Sequence, residues 1–221
     1  MSGYINNVAR LFVRHYVEYR TAHLMIFAAT FALPLILALL MQESAIAYST
    51  SSTVLLFACV GAIICSMQSM QKRERFVVEH TLPVSTAERY SFLLLNSVVA
   101  SLVLCFCALH PALAVAEHLY PLEESLSWVD FYANYGTLRR WMGIFSTEAV
   151  VFLVCLNHRM KPAAGVAVAL LAMFVVQLLI QGIFRSQPHL IDDAKMWGNI
   201  LFIVGAWITG YFLLKKYEFK L

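Results

Sequence analysis

Lys72-Arg73-Glu74-Arg75-Phe76-Val77-Val78-Glu79-His80-Thr81-Leu82-Pro83-Val84-Ser85-Thr86-Ala87-Glu88-Arg89-Tyr90 is the stretch that decides how this chain is built. It is a compact charged island between two long apolar runs. A loop so short and so charged sits in water between two membrane spans. Pro83 ends whatever helix precedes it, because proline lacks an N–H and its ring clashes with the preceding turn. Ser85, followed three residues later by Glu88, reads as a capping box that opens the next helix. The stretch therefore predicts a short helix, a break, and a second helix that runs into the membrane. Such a loop is suited to being gripped by another protein. The plainer alternative is a solvated loop whose basic residues fix topology and touch anionic lipid, with Glu74, Glu79 and Glu88 balancing them.

Composition around the island agrees with a membrane setting. The chain has 221 residues, is 61% hydrophobic and 13% charged, and has a mean hydropathy of +0.72. Soluble domains carry about 25% charged residues. A span needs roughly 20 apolar residues, so six spans use roughly 120 and leave only short loops. We expect one transmembrane domain over 1–221 and no separate soluble domain. The first apolar run begins near residue 22, after a long charged segment, and reads as a retained span rather than a signal peptide. The cysteines, Cys59, Cys65, Cys105, Cys107 and Cys155, all lie inside apolar runs without Cys-x-x-Cys spacing, and read as small packing residues.

Residues 4–20 are amphipathic rather than spanning. Ile5, Val8, Ala9, Phe12, Val13, Tyr16 and Tyr19 fall on one side of a helix, and Asn7, Arg10, Arg14 and Glu18 on the other. A basic polar face opposite an apolar one marks a helix lying in the membrane interface, or one packed on a partner protein. The spans expected are 22–41, kinked at Pro34, then 53–70, 87–117 with a kink at His110-Pro111, 140–156, 163–184 and 196–214. Residues 42–52 read as a polar turn, 71–90 as the charged loop, 117–140 as a long acidic and aromatic loop at the outer interface, 157–162 as a basic turn and 185–195 as a polar loop.

Lys and Arg set the orientation. The N-terminus, the 71–90 loop, the 157–162 turn and the C-terminus hold Arg10, Arg14, Arg20, Lys72, Arg73, Arg75, Arg89, Arg159, Lys161, Lys215, Lys216 and Lys220. Only Arg139, Arg140, Arg185 and Lys195 fall on the other side. The positive-inside rule places the richer set, and both termini, in the cytoplasm. The expected fold is thus all-α and integral to the membrane: six transmembrane helices behind an N-terminal interfacial helix.

Catalytic signatures are missing from the sequence. It has no Gly-x-x-x-x-Gly-Lys-Ser/Thr phosphate loop, no Gly-x-Ser-x-Gly elbow and no His-Glu-x-x-His helix. The seven histidines are scattered, and His110 and His118 have nothing at ligand spacing, so no metal is expected. Glu148 stands alone in an apolar span, where a charge costs roughly 2.5–3.5 kcal/mol on insertion scales. It lines a substrate path, or it makes a structural hydrogen bond to Ser146, Thr147, Gln177 or a second subunit. Gln177 and Gln181, one turn apart, share a face that joins helices or faces substrate. His110 is most simply a hydrogen-bonded residue at a kink, with a place on the path as the alternative.

This layout resembles the membrane subunit of an ABC-2 type ABC transporter. The element Glu79-His80-Thr81-Leu82-Pro83-Val84-Ser85-Thr86-Ala87-Glu88 is similar to the Leu-Pro-[Val/Ile]-Ser-x-x-Glu sequence that follows the second span in many such permeases. The tail Lys215-Lys216-Tyr217-Glu218-Phe219 is similar to their basic ending. The resemblance implies that Arg73, Glu74, Arg75, Phe76 and Glu79 form a coupling helix docked on a separate ATPase subunit. Pro83, Ser85 and Glu88 would supply its break and cap, and the helix around Arg10 and Arg14 would brace it. It implies a working unit of two membrane subunits, this chain with a second copy or a homologous permease, and two ATPases. ATP and Mg would then bind to the partner, with no cofactor on this chain. Membrane lipids would surround it, no nucleic acid would partner it, and substrate would usually be exported by alternating access across a bacterial cytoplasmic membrane. The acidic aromatic loop departs from the pattern, since some members carry a re-entrant element after the fifth span instead. Two other classes remain: a membrane anchor or immunity-type binding protein without transport, and an intramembrane enzyme using Glu148 and His110 as acid–base groups.

Overall fold

A computed structural model describes residues 2–71, 84–121, 137–156, 162–183 and 188–218. Among these the chain is helical apart from short breaks and helix ends, without a strand. The elements are α1 (Ser2–Glu18), α2 (Arg20–Met41), α3 (Ser44–Gln71), α4 (Thr86–Val103), a π-helical segment (Leu104–Leu109), α5 (His110–Leu119), α6 (Leu138–Leu156), α7 (Pro162–Ile183) and α8 (Pro188–Glu218). Among the described residues four helical stretches are long and apolar enough to cross a membrane: Arg20–Met41, Ser44–Met67, Thr86–Leu119 and Asp193–Lys216. Their outer faces carry large apolar side chains such as Leu40, Phe57, Leu201 and Phe212 in the open. Continuous exposed apolar surface of that extent is a liability in water and normal against lipid.

Helix-forming residues and local caps explain most boundaries. Pro162 and Pro188 begin α7 and α8, where a missing N–H costs nothing and a fixed φ is already helical. At the end of α2, Gln42 turns left-handed (φ 55°, ψ 33°), and the N–H groups of Gln42 and Glu43 both donate to Ala38 O. That double closure on a single carbonyl ends the helix in a left-handed turn. The chain then re-enters a helix at Ser44.

This corrects the expected polar turn over 42–52. Ser49, Thr50 and Ser51 donate their hydroxyls to backbone oxygens three or four residues back, at 2.7–3.3 Å. A Ser/Thr-rich stretch satisfied this way stays helical. The polar loop expected over 185–195 is likewise shortened, because Pro188–Lys195 form the first turns of α8.

The kink expected at His110-Pro111 takes a specific form. Pro111 has no N–H for the ladder. The turn before it widens into the π segment, with the His110 N–H donating to Cys105 O. A π-bulge is a standard way to absorb a break within a long helix.

Packing divides the chain into two compact units, residues 1–66 with 91–137 and residues 67–90 with 138–221. In the first, α2 packs along α5 and the π segment, and α1 lies against α2. Asn96, fully buried on α4, donates to Ser66 Oγ on α3 at 2.6 Å, and Ser66 passes its own hydrogen bond to Ala62 O. Tyr48 donates to Glu117 Oε2 at 2.9 Å, so this acid closes the end of the helical layer rather than belonging to the loop expected from 117. In the second unit α6 packs against α7 and α8.

Candidate functional site

Of the expected docking stretch, Arg73, Glu74, Arg75, Phe76, Glu79 and Pro83 lie outside the described residues. Its C-terminal end is described. Glu88 Oε2 accepts from the Ser85 N–H at 2.7 Å and from Ser85 Oγ at 2.9 Å, and the Glu88 N–H reaches back to Ser85 Oγ at 3.3 Å. This reciprocal pair is the capping box, and it opens α4 at Thr86. Glu88 and Arg89 are both buried. Tyr90 then donates its hydroxyl to Trp207 O and meets Tyr211 edge-on, with ring centroids 5.3 Å apart. The last residues of the charged stretch are thereby fastened to α8.

The other end of the expected machinery is α1. Val8, Leu11 and His15 are its buried positions, with Tyr19 buried just beyond its end, and Phe12 meets Phe92 edge-on at 4.9 Å. Ile5 and Val13 are each 66% exposed, and Val17 and Ala9 are exposed beside them. The apolar residues therefore split into a stripe packed on the protein and a stripe facing outward. Arg10 is exposed, and Arg14 pairs with Glu18 at 3.7 Å on the surface, an arrangement worth little in stability.

At the join of α1 and α2 the structure assembles a cluster that spacing did not anticipate. The backbone leaves helical geometry for one residue, Tyr19 (φ −106°, ψ 19°). The ladder bonds on either side persist, from Tyr19 N–H to His15 O and from His23 N–H to Tyr19 O. His15 and His23 face each other across this break, with Nε2 atoms 2.8 Å apart. Cys65, from α3, brings its Sγ to 3.8 Å from His23 Nε2. The three ligand atoms lie within 4.8 Å of one another. His15 is 6% exposed and Cys65 3%. Tyr16 lies over His23 at 4.6 Å and 32°. Burial, and then the neighbouring His23, hold the His15 imidazole down to about 4, so it is neutral at pH 7. Burial, followed by the nearby Cys65, pushes the Tyr16 phenol up. A cavity of about 360 Å³ opens beside the cluster, lined by Tyr16, Arg20, His23, Phe27, Ala62 and Leu104.

In the second unit Glu148 is fully buried on α6, flanked by the buried Ser146 and Thr147. Thr147 turns its hydroxyl onto Gly143 O at 3.1 Å, within its own helix. Gln181 is exposed on α7, and the side chain of Gln177 lies outside the described residues. His110 is half-buried at the π junction in the first unit. Glu148 and Gln181 thus belong to the second unit and His110 to the first. A residue of unanticipated weight is Gly210, whose Cα faces the ring of Phe152 so closely that a Cβ there would overlap it.

Comparison with family models, with curated proteins and with solved structures finds no match.

Proposed function

We propose that this chain is the membrane subunit of an ATP-driven ABC-2 type transporter, in which a separate ATPase docks on the 72–89 loop. The observation that carries this reading is the capped start of α4 directly behind the charged island. A loop that merely fixes topology needs basic residues, but it needs neither a reciprocal cap nor a fastened exit. A loop that transmits force needs both, because motion of its N-terminal half reaches the span only through a rigid connection. The Ser85–Glu88 bonds and the Tyr90 anchor supply such a connection. The resemblance of residues 79–88 and 215–219 to that family, and the helix α1 with its outward apolar stripe, support the same reading.

In the proposed cycle ATP draws two ATPases together, the loops move with them, and paired membrane subunits alternate between inward and outward access. Six spans, both termini in the cytoplasm of a bacterium, and export as the direction belong to this proposal. Glu74→Ala combined with Arg75→Ala tests it. The expected result is a protein that inserts and folds normally but no longer captures its ATPase. Normal capture and normal stimulated hydrolysis in that double variant would refute the docking assignment.

A further inference from the structure

We infer that His15, His23 and Cys65 form a binding site for a closed-shell soft or borderline metal ion, Cu⁺ or Zn²⁺. The inference stands on the first unit alone and is independent of the transport reading.

Three observations carry it. The donors are two imidazoles and a thiol, the set that selects copper(I) and zinc over magnesium or calcium. They come from three different helices, α1, α2 and α3, with His15 and Cys65 buried and His23 half-buried. Their spacing is close to what a metal requires. With metal–nitrogen bonds of about 2.0–2.1 Å and a metal–sulfur bond of about 2.3 Å, tetrahedral angles put the two nitrogens ~3.4 Å apart and nitrogen and sulfur ~3.6 Å apart. The observed separations are 2.8 Å and 3.8 Å. The third separation, His15 to Cys65, is within 4.8 Å, so shifts of about half an ångström to ~1.2 Å seat the ion at those bond lengths.

The protons balance. Without metal, one Nε2–H donates to the other Nε2 across the 2.8 Å contact. On binding, both Nε2 atoms become ligands, and the ring that carried its proton there carries it on Nδ1 instead. The Cys65 thiol gives up one proton to water and binds as thiolate. Two neutral imidazoles and one thiolate leave a Cu⁺ site neutral and a Zn²⁺ site with one positive charge. The cavity beside His23 leaves room for a water or an anion as a fourth ligand. The consequence is mechanical: the ion would tie the interfacial helix to the first two long apolar helices.

The test uses the full chain purified in detergent, stripped of metal and handled anaerobically with reductant. Zn²⁺ and Cu⁺ are added separately, unbound ion is removed, and bound metal is counted by mass spectrometry. Co²⁺ is added in a third arm, because thiolate ligation gives it a charge-transfer absorption band. The expected result is one ion per chain with either Zn²⁺ or Cu⁺, and a cobalt–thiolate band that Cys65→Ser abolishes. His15→Gln and His23→Gln should each weaken binding by no less than the ~10–100-fold that loss of a ligand-orienting partner costs. The arm that retains its ion at the lower free concentration identifies which of the two it is. Should Cys65→Ser fail to fold, a chain with Cys59, Cys105, Cys107 and Cys155 replaced by Ser decides, because a cobalt–thiolate band there can come only from Cys65 and its absence overturns the site. No ion retained at micromolar free metal and no thiolate band overturn the site, as does undiminished binding in the variants.

Discussion

At the residue scale, Gly210 and Glu148 carry the sharpest expectations. A Cβ at Gly210 would overlap Phe152 Cε1, and would also lie 3.1 Å from Cδ1 and 3.5 Å from a Leu156 methyl. Phe152 cannot retreat easily, since it is 2% exposed and tilted against Trp207 at 4.7 Å. Gly210→Ala should therefore destabilise the second unit by about 1–3 kcal/mol, the usual cost of overpacking. Thermal unfolding in detergent measures it, and an unchanged midpoint would mean that α6 and α8 are not packed this closely. Glu148 has no exposed surface, which suits a group holding helices together better than one lining an open path. Glu148→Gln keeps shape and hydrogen-bonding capacity, so it should insert and fold like the parent. Glu148→Ala should lose about 2–4 kcal/mol through the cavity it leaves. Equal stability of the two variants in the same assay contradicts a structural role. The sequence exposed Glu148 at once, because a lone charge in an apolar span is conspicuous. Gly210 could not be read there: its spacing from Gly205 matches no motif, and only the approach of α6 gives it meaning.

At the element scale, the cap on α4 and the faces of α1 are open to direct test. Ser85→Ala removes half of a reciprocal cap and should cost about 1 kcal/mol, seen as earlier proteolysis at the start of α4. If protease sensitivity does not change, the cap contributes nothing. On α1, Val13→Cys labelled with an environment-sensitive dye should emit as an apolar site in lipid nanodiscs. Arg10→Cys should emit as a hydrated one. Matching emission from both would rule out an interfacial helix with distinct faces. Both elements were legible in the sequence because their signals are local: a capping box spans four residues, and an amphipathic period repeats each turn. The 42–52 turn was misread because Ser and Thr look like loop formers until their hydroxyls are seen satisfied within the helix. The His15–His23–Cys65 cluster was not legible at all. Two histidines eight residues apart are ~12 Å apart along a straight helix. They meet only because the backbone breaks at Tyr19, and Cys65 joins them from a helix that is distant in the sequence.

At the scale of the whole molecule, the central claim is that this chain does its work through an ATPase. The long apolar stretches were readable from composition because lipid demands length and continuity, and four of them stand in the structure as helices of sufficient length. The orientation proposed from the Lys and Arg distribution predicts that single cysteines introduced at Arg73 and Arg159 react with a membrane-impermeant reagent only after the cytoplasmic face is opened. Cysteine at Glu124 should react from the outside of intact cells. Reaction of all three from one side would invert or break the proposed topology. What composition could not supply is the partner, because the docking surface proposed for it comprises only a few residues of one loop. The most direct measurement is affinity purification of the chain from its native membrane in mild detergent, with mass spectrometry of what accompanies it and an assay of ATP hydrolysis. The account predicts a stoichiometric ATPase subunit and hydrolysis that depends on residues 73–79. Recovery of the chain alone, without hydrolysis, under conditions that keep other membrane complexes whole, would contradict it.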